Sequence, residues 1–358
     1  MLIYILLPIW FVISSILFSF MEISVRKKIS FASSCLFATA VMAFRSPEMG
    51  LDTPRYLEAV NYYKTIGTLD NSAFARFEPG FKVLIYVSSV FPNSASAFLI
   101  LSALLIVPIP FYVIYKISNN LSESYLLYYL TTVYFFNFGV TRQAIAEAFV
   151  CLAVLYSIKN NMKASIAFAI FAFIFHVSSI FVLPAIVLVR ISPKRYFYIA
   201  LLCASGLLYV FGGKVAALFE STQYSYYSDS TYATGSTKLP WMFIVIFVVS
   251  IMLLEYIRSN VNDMDGLGEI KAIYNISFYL CMTGILISII VLHVNLFYRI
   301  NYYAIEIISF AIPIVLNEIG ERKYDVIKIG YYLMYAVYFY LFLHYAGDWF
   351  GIFPYHTM

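Results

Sequence analysis

Apolar residues fall along this chain in long blocks, with short polar turns between them. Blocks long enough to cross or nearly cross a bilayer lie at about 2–20, 29–44, 96–115, 123–139, 143–158, 164–189, 196–212, 240–257, 272–292, 300–316 and 328–345. A crossing helix needs about 20 apolar residues, so these blocks predict transmembrane helices. The run Pro79 to Phe91 is too short to span. It predicts an interfacial or re-entrant helix that returns a long outer loop, 45–82, to the membrane. The block 164–189 holds about 26 residues, whereas two full crossings need about 40. A short helical hairpin with its apex near His176 fits that length; the alternative is a single crossing that breaks the charge rule at one end. Neither heptads nor an internal repeat is present. The expected fold is an all-α, polytopic transmembrane helical bundle of about 10–12 spans, counting short or re-entrant helices. The chain 1–358 is expected to be one integral membrane domain, with 45–82 as a structured outer loop and 213–239 as a Tyr/Ser/Thr-rich one.

Composition makes lipid the solvent for most of the chain. Of its 358 residues 62% are hydrophobic and only 12% charged, with a mean hydropathy of +0.83. Soluble domains carry about 25% charged residues, so a water-soluble fold is excluded for most of this length. The 33 Tyr and 33 Phe suit the headgroup boundary and wide helix interfaces. The net charge of +4 is mild and gives no nucleic-acid footprint. Cys35, Cys151, Cys203 and Cys281 sit inside apolar stretches, without metal-ligand spacing or a disulfide framework, and read as packing residues. Leu2 to Phe20 lacks a basic leader and a cleavage site, and Arg26, Lys27 and Lys28 follow it. It reads as an uncleaved first span whose N-terminus faces away from the cytoplasm.

Charge between the blocks sets orientation. Fourteen of the 23 Lys and Arg fall in short turns (26–28, 116, 159–163, 190–195, 258–271 and 322–328), which the positive-inside rule places in the cytoplasm. The opposite side receives 45–82, the 213–239 stretch, the turn His293 to Tyr302, and the tail after Tyr345.

Charges near hydrocarbon need a reason. Arg142 and Glu147 open the run 143–158, His176 interrupts FAIFAFIFHVSSIFVL, and Arg299 and Glu306 flank FYRINYYAIE. The outer loop adds Arg45, Glu48, Asp52, Arg55, Arg76 and Glu78. Each has a plain reading. Arg142 and Arg299 suit snorkelling, His176 a hydrogen-bonded core, and Asp52 a helix cap before Pro54. Their coincidence on one side points further. Guanidinium forks match diphosphate oxygens, a carboxylate with an imidazole handles a hydroxyl proton, and tyrosines stack on sugars. No glycine-rich phosphate loop, metal-ligand array or serine-hydrolase elbow is present.

Four phrases taken together, RSPEMGLDTPRY (Arg45 to Tyr56), FEPGF (Phe77 to Phe81), TRQAIA (Thr141 to Ala146) and FHVSSI (Phe175 to Ile180), resemble the EpsG branch of Wzy-type polysaccharide repeat-unit polymerases. Tyr298-Arg299 with Tyr302 is similar to that family's later Arg and Tyr element. The resemblance implies a bacterial inner-membrane enzyme that needs no cofactor or metal, and the charge pattern above puts both termini on its periplasmic side. It would act on undecaprenyl-diphosphate-linked oligosaccharides at the periplasmic face, moving the growing chain onto a new unit. A chain-length regulator and a flippase are the implied partners. Arg142 and Arg299, with Arg45 as a third, would hold the diphosphate. His176 or Asp52 would deprotonate the acceptor, Glu78 would orient it or a catalytic partner, and Tyr56, Gln143, Tyr298 and Tyr302 would contact sugar.

Rival readings are a lipid-linked oligosaccharide flippase or transporter, an O-antigen ligase, a membrane O-acetyltransferase and a scaffold. A transporter should show inverted repeats and broken helices. An O-acetyltransferase should place its histidine early, whereas the first His here is His176. The ligase shares the polymerase's donor and stays open.

Overall fold

The structure, a computed structural model, describes residues 2–220, 238–261, 265–319, 323–345 and 351–358. The apolar blocks fold as α-helices and the described residues contain no named strand; the architecture is an all-α, polytopic helical bundle. Among the described residues seven segments are long and apolar enough to cross a bilayer: Ser94–Ile117, Thr141–Ile158, Arg195–Lys214, Pro240–Asn260, Glu269–Val291, Asn295–Glu318 and Asp325–Tyr345. The chain forms two compact units, Met1–Ile180 with Gly320–Met358, and Phe181–Ile319.

In the first unit, α1 (Ile3–Leu17) and α2 (Ile23–Ala43) pack together, and α2 also meets α5 (Ser94–Ile106) and α6 (Pro108–Ile117). Between α2 and α5 stand α3 (Thr53–Ile66) and α4 (Pro79–Ser89). The run 96–115, expected as one helix, divides at Pro108, whose ring lacks an amide hydrogen for the helical ladder. The run 123–139 divides into α7 (Leu121–Leu130) and the single turn α8 (Val133–Phe136), at Thr132, whose φ is 65°. Then come α9 (Thr141–Ile158) and α10 (Met162–Phe175), packed closely against each other, with Asn161 capping the amide of Ala164 at 3.1 Å. As the length of its block predicts, the helix breaks at His176, where the backbone turns extended (φ −159°, ψ 122°).

The second unit contains α11 (Leu183–Leu188), α12 (Arg195–Glu220), α13 (Lys238–Asn260), α14 (Glu269–Val291) and α15 (Asn301–Ile319). α14 lies at its centre, packed on α11, α12, α13 and α15. α12 runs eight residues further than the expected block, because Lys214 to Glu220 are mostly strong helix formers. The remainder of the expected loop 213–239, residues 221–237, lies outside the described residues, as do 320–322 with the basic Arg322. The last helix, α16 (Lys323–Tyr345), belongs to the first unit and packs on α7.

Candidate functional site

Two helix starts and a helix end meet in the first unit. α4 begins at Pro79, suited to a first helical turn because the missing N–H is not needed there. Glu78 occupies the position before it, yet its side chain does not cap the helix. The carboxylate instead bridges two groups: Arg142 donates from NH1 to Oε2 at 2.8 Å, and His176 Nδ1 lies 2.7 Å from Oε1. Gly80 makes this approach possible. A Cβ there would stand 3.0 Å from the Ile174 side chain and 3.1 Å from its carbonyl, so α4 seats directly on the end of α10.

A carboxylate only accepts, so Nδ1–H donates to Glu78 and the neutral ring carries its lone pair on Nε2. The Arg142 guanidinium lies among aromatic rings, 5.0 Å from the Phe77 centroid and 6.0 Å from those of Tyr56 and Phe81. Its side chain keeps 21% exposure, against 11% for Glu78 and 23% for His176. Among the described residues its buried Nε makes no hydrogen bond. Burial raises the pKa of Glu78, but the His176 hydrogen bond and the charges of Arg142 and His176 outweigh it and hold the carboxyl at about 2. Glu78 is therefore an anion at any working pH.

Arg142 is placed by the turn before α9. Gly50, at φ +94°, packs on Gly139: a Cβ on Gly50 would run into the Phe138 carbonyl and lie 2.7 Å from Gly139 Cα. The Phe138 carbonyl accepts from Thr53 Oγ1 at 2.9 Å and from Arg45 NH2 at 3.2 Å, while Arg45 NH1 donates to the Met42 carbonyl at 2.6 Å. Arg45, expected as a third diphosphate ligand, is wholly buried and spends its fork on two carbonyls and the Phe138 ring. Burial pulls its guanidinium down to about 10, so it stays charged at neutral pH.

A strap of residues 351–358 lies over this loop. Gly50 N donates to Gly351 O at 2.8 Å, Ser46 N to His356 O at 2.8 Å, and Met358 N to Phe44 O at 3.0 Å; Arg45 pairs antiparallel with Thr357. Tyr355 donates to Val41 O at 2.8 Å, and Tyr4 donates to Ile352 O. Ile352 is fully buried.

The remaining expected residues divide between the units. Asp52 stands at the N-cap of α3 but makes no capping bond with its side chain. Tyr56 is buried beside Arg142 and within hydrogen-bonding reach of it, on the inward face of α3. Gln143 is buried too, donating from Nε2 to Glu147 Oε1 at 2.8 Å. Glu147 itself is fully buried in α9. The site expectation omitted it, although an acid four residues beyond Gln143 on an apolar helix was a visible signal. In the second unit, the 3-10 turn Asn295–Ile300 carries Tyr298, buried, and Arg299, half-buried, ahead of α15. There Tyr302 meets Phe243 edge-on at 5.8 Å, Asn301 donates to Ser288 at 2.9 Å, and Glu306 is buried one turn on. No group of three or more His, Cys, Asp or Glu fit to hold a metal occurs among the described residues.

No curated protein and no solved structure matches the chain. The EpsG family model matches residues 28–357, and the four phrases that carry Arg45, Glu78, Arg142 and His176 all fall inside that match. An all-α membrane bundle whose family match runs over nearly its whole length belongs to the EpsG family.

Proposed function

We propose that this chain is a membrane glycosyltransferase that polymerises undecaprenyl-diphosphate-linked oligosaccharide units into a surface polysaccharide at the periplasmic face of the inner membrane. Membership of the EpsG family supports a role in polysaccharide biosynthesis. The single observation that carries the mechanism is Glu78 holding Arg142 and His176 at once.

In this reading His176 is the general base. Glu78 fixes the ring so that Nε2 faces the reacting hydroxyl, an acid–imidazole arrangement that contributes rate by orientation and proton transfer. The acceptor hydroxyl loses its proton to Nε2 as its oxygen bonds to the anomeric carbon of the growing chain. The bond from that carbon to the diphosphate oxygen breaks, and the lipid diphosphate leaves with the electron pair. Arg142 stabilises the charge that develops there, with a planar fork of which Glu78 takes one nitrogen. The rings of Tyr56, Phe77 and Phe81 exclude water around the guanidinium and strengthen its field. Arg45 is left out of the diphosphate set and holds the loop. Arg299, Tyr298 and Tyr302 are carried into the proposal as substrate-binding residues of the second unit, on their sequence pattern. A flippase that delivers the units and a chain-length regulator are the proposed partners.

Glycan from a deletion strain tests this. Single-unit caps are the expected result, reversed by the intact gene. Full-length polymer left on its lipid carrier points to a ligase, and unchanged glycan overturns both readings.

A further inference from the structure

The first unit carries a second cluster of cations, at the opposite end of α2 from Arg45. Lys27 Nζ stands 5.4 Å from the centroid of the Tyr115 ring, and Lys116 Nζ stands 5.6 Å from the same centroid. Lys116 also lies 5.3 Å from the Tyr112 ring. Phe31 stacks on Tyr115 with centroids 4.8 Å apart. Two helices thus bring their ammonium groups to one aromatic platform, and the two charges repel across it. Among the described residues neither lysine has an ion pair or a side-chain hydrogen bond, and Arg26 and Lys28 flank Lys27 with more positive charge. The nearest carboxylates along the chain are Glu22, which accepts from Ser24 at 3.0 Å, and Glu123, which accepts from Asn120 at 2.8 Å.

An anion between the two ammonium groups would relieve their repulsion, and the start of α2 favours it as well, since a helix N-terminus carries partial positive charge. About 18 residues of helix separate Lys27 from Arg45, close to the thickness of the hydrocarbon core at 1.5 Å per residue. The platform therefore lies at headgroup depth, where basic clusters between helices recognise anionic lipids. We propose that Lys27 and Lys116, over the Tyr115–Phe31 stack, form a site for the phosphate headgroup of an anionic phospholipid, with its acyl chains along α2 and α6. The positive-inside rule puts this site in the cytoplasmic leaflet. It is independent of the polymerase reading.

Native mass spectrometry of the full chain, offered phosphatidylglycerol and phosphatidylcholine of matched acyl chains, tests the site. The wild type should retain phosphatidylglycerol selectively, and the preference should fall about fivefold for each of Lys27→Gln and Lys116→Gln. Lys27→Arg with Lys116→Arg should keep it, and Lys64→Gln, removing one charge from α3, should leave it intact. Should either glutamine variant fail to fold, Tyr115→Leu removes the platform while keeping both charges and should still weaken the preference. Selectivity that survives the glutamine changes and Tyr115→Leu overturns the site. Loss of lipid to millimolar inorganic phosphate in the wild type overturns the lipid assignment in favour of a free anion.

Discussion

The two ends of α2 handle positive charge in opposite ways. Beyond its last turn Arg45 is fully buried, with each terminal nitrogen on a carbonyl, and nearby Arg142 has its own carboxylate and three rings. Near its start Lys27 faces Lys116 over a ring, and no acid is bound to either among the described residues. Burying a cation costs several kcal/mol unless a partner meets it. The end with built-in partners is therefore a preorganised site, whereas the other is left to whatever anion the solvent or the bilayer supplies. That contrast separates chemistry from lipid contact within one bundle.

Breaking the Glu78 bridge should have the largest effect. Arg142→Lys keeps the charge but loses the planar fork, and polymerisation should fall by about two orders of magnitude or more, the scale of removing one charge-stabilising donor. Chain length on gels of surface glycan from a null strain reads it, and full restoration by the lysine variant would falsify the bidentate role. Glu78→Gln should act as strongly, and with a stability signature. The folded carboxyl sits at about 2, below its ordinary 4.5. The stabilisation is therefore complete above about pH 4.5 and lost as pH falls toward 2, worth at most about 3 kcal/mol. Melting of the purified protein across that window should drop for the wild type and stay flat for Glu78→Gln. An equally steep drop in the variant would assign the acid limb to another group.

His176→Ala removes the base and should cost about 100-fold or more in chain growth while the fold persists, because the ring keeps 23% exposure and fills no core position. Wild-type chain length from the alanine variant would pass the base to Asp52.

Much of this was legible in the chain. Apolar blocks mark where most helices lie, though not the splits at Pro108 and Thr132 or the full length of α12, and the shortage of residues in 164–189 anticipates the break at His176. Charges at apolar runs flagged Arg142 and His176, and the charged outer loop supplied Glu78, each on its own. Their contact was not legible, because it depends on Gly80 letting α4 rest on Ile174, and a glycine among apolar residues has several explanations. Nor could Arg45 be told from a ligand. Its partners are main-chain carbonyls of residues 42 and 138, and carbonyls leave no mark on sequence. The strap escaped notice for the same reason, as most of its bonds are backbone to backbone.

The strap gives the next step down. Ending the chain after residue 350 removes three backbone bonds to the 44–50 loop, the Tyr355 bond and the buried Ile352. At about 1 kcal/mol per hydrogen bond and about 2 for Ile352, the loss is several kcal/mol. Polymer should shorten, and a synthetic peptide of residues 351–358 should restore part of it in membranes. Truncated protein that still makes full-length polymer would show that the loop holds Arg142 without help.

The smallest effect sharpens the comparison by changing a lysine that does have partners. Lys64 is exposed on α3, yet its ammonium donates to the carbonyls of Phe91 at 3.0 Å and Pro92 at 2.7 Å, just past the end of α4. Charged donors on terminal carbonyls contribute up to about 1 kcal/mol when exposed. Lys64→Met should thus lower the melting temperature by a degree or two and leave chain length unchanged. The melting temperature of Lys27→Met should depend on lipid instead, dropping against wild type in phosphatidylglycerol and matching it in phosphatidylcholine. If both substitutions shift melting equally in both lipids, Lys27 is held no differently from a lysine with carbonyl partners, and Lys27 and Lys116 are ordinary surface charge.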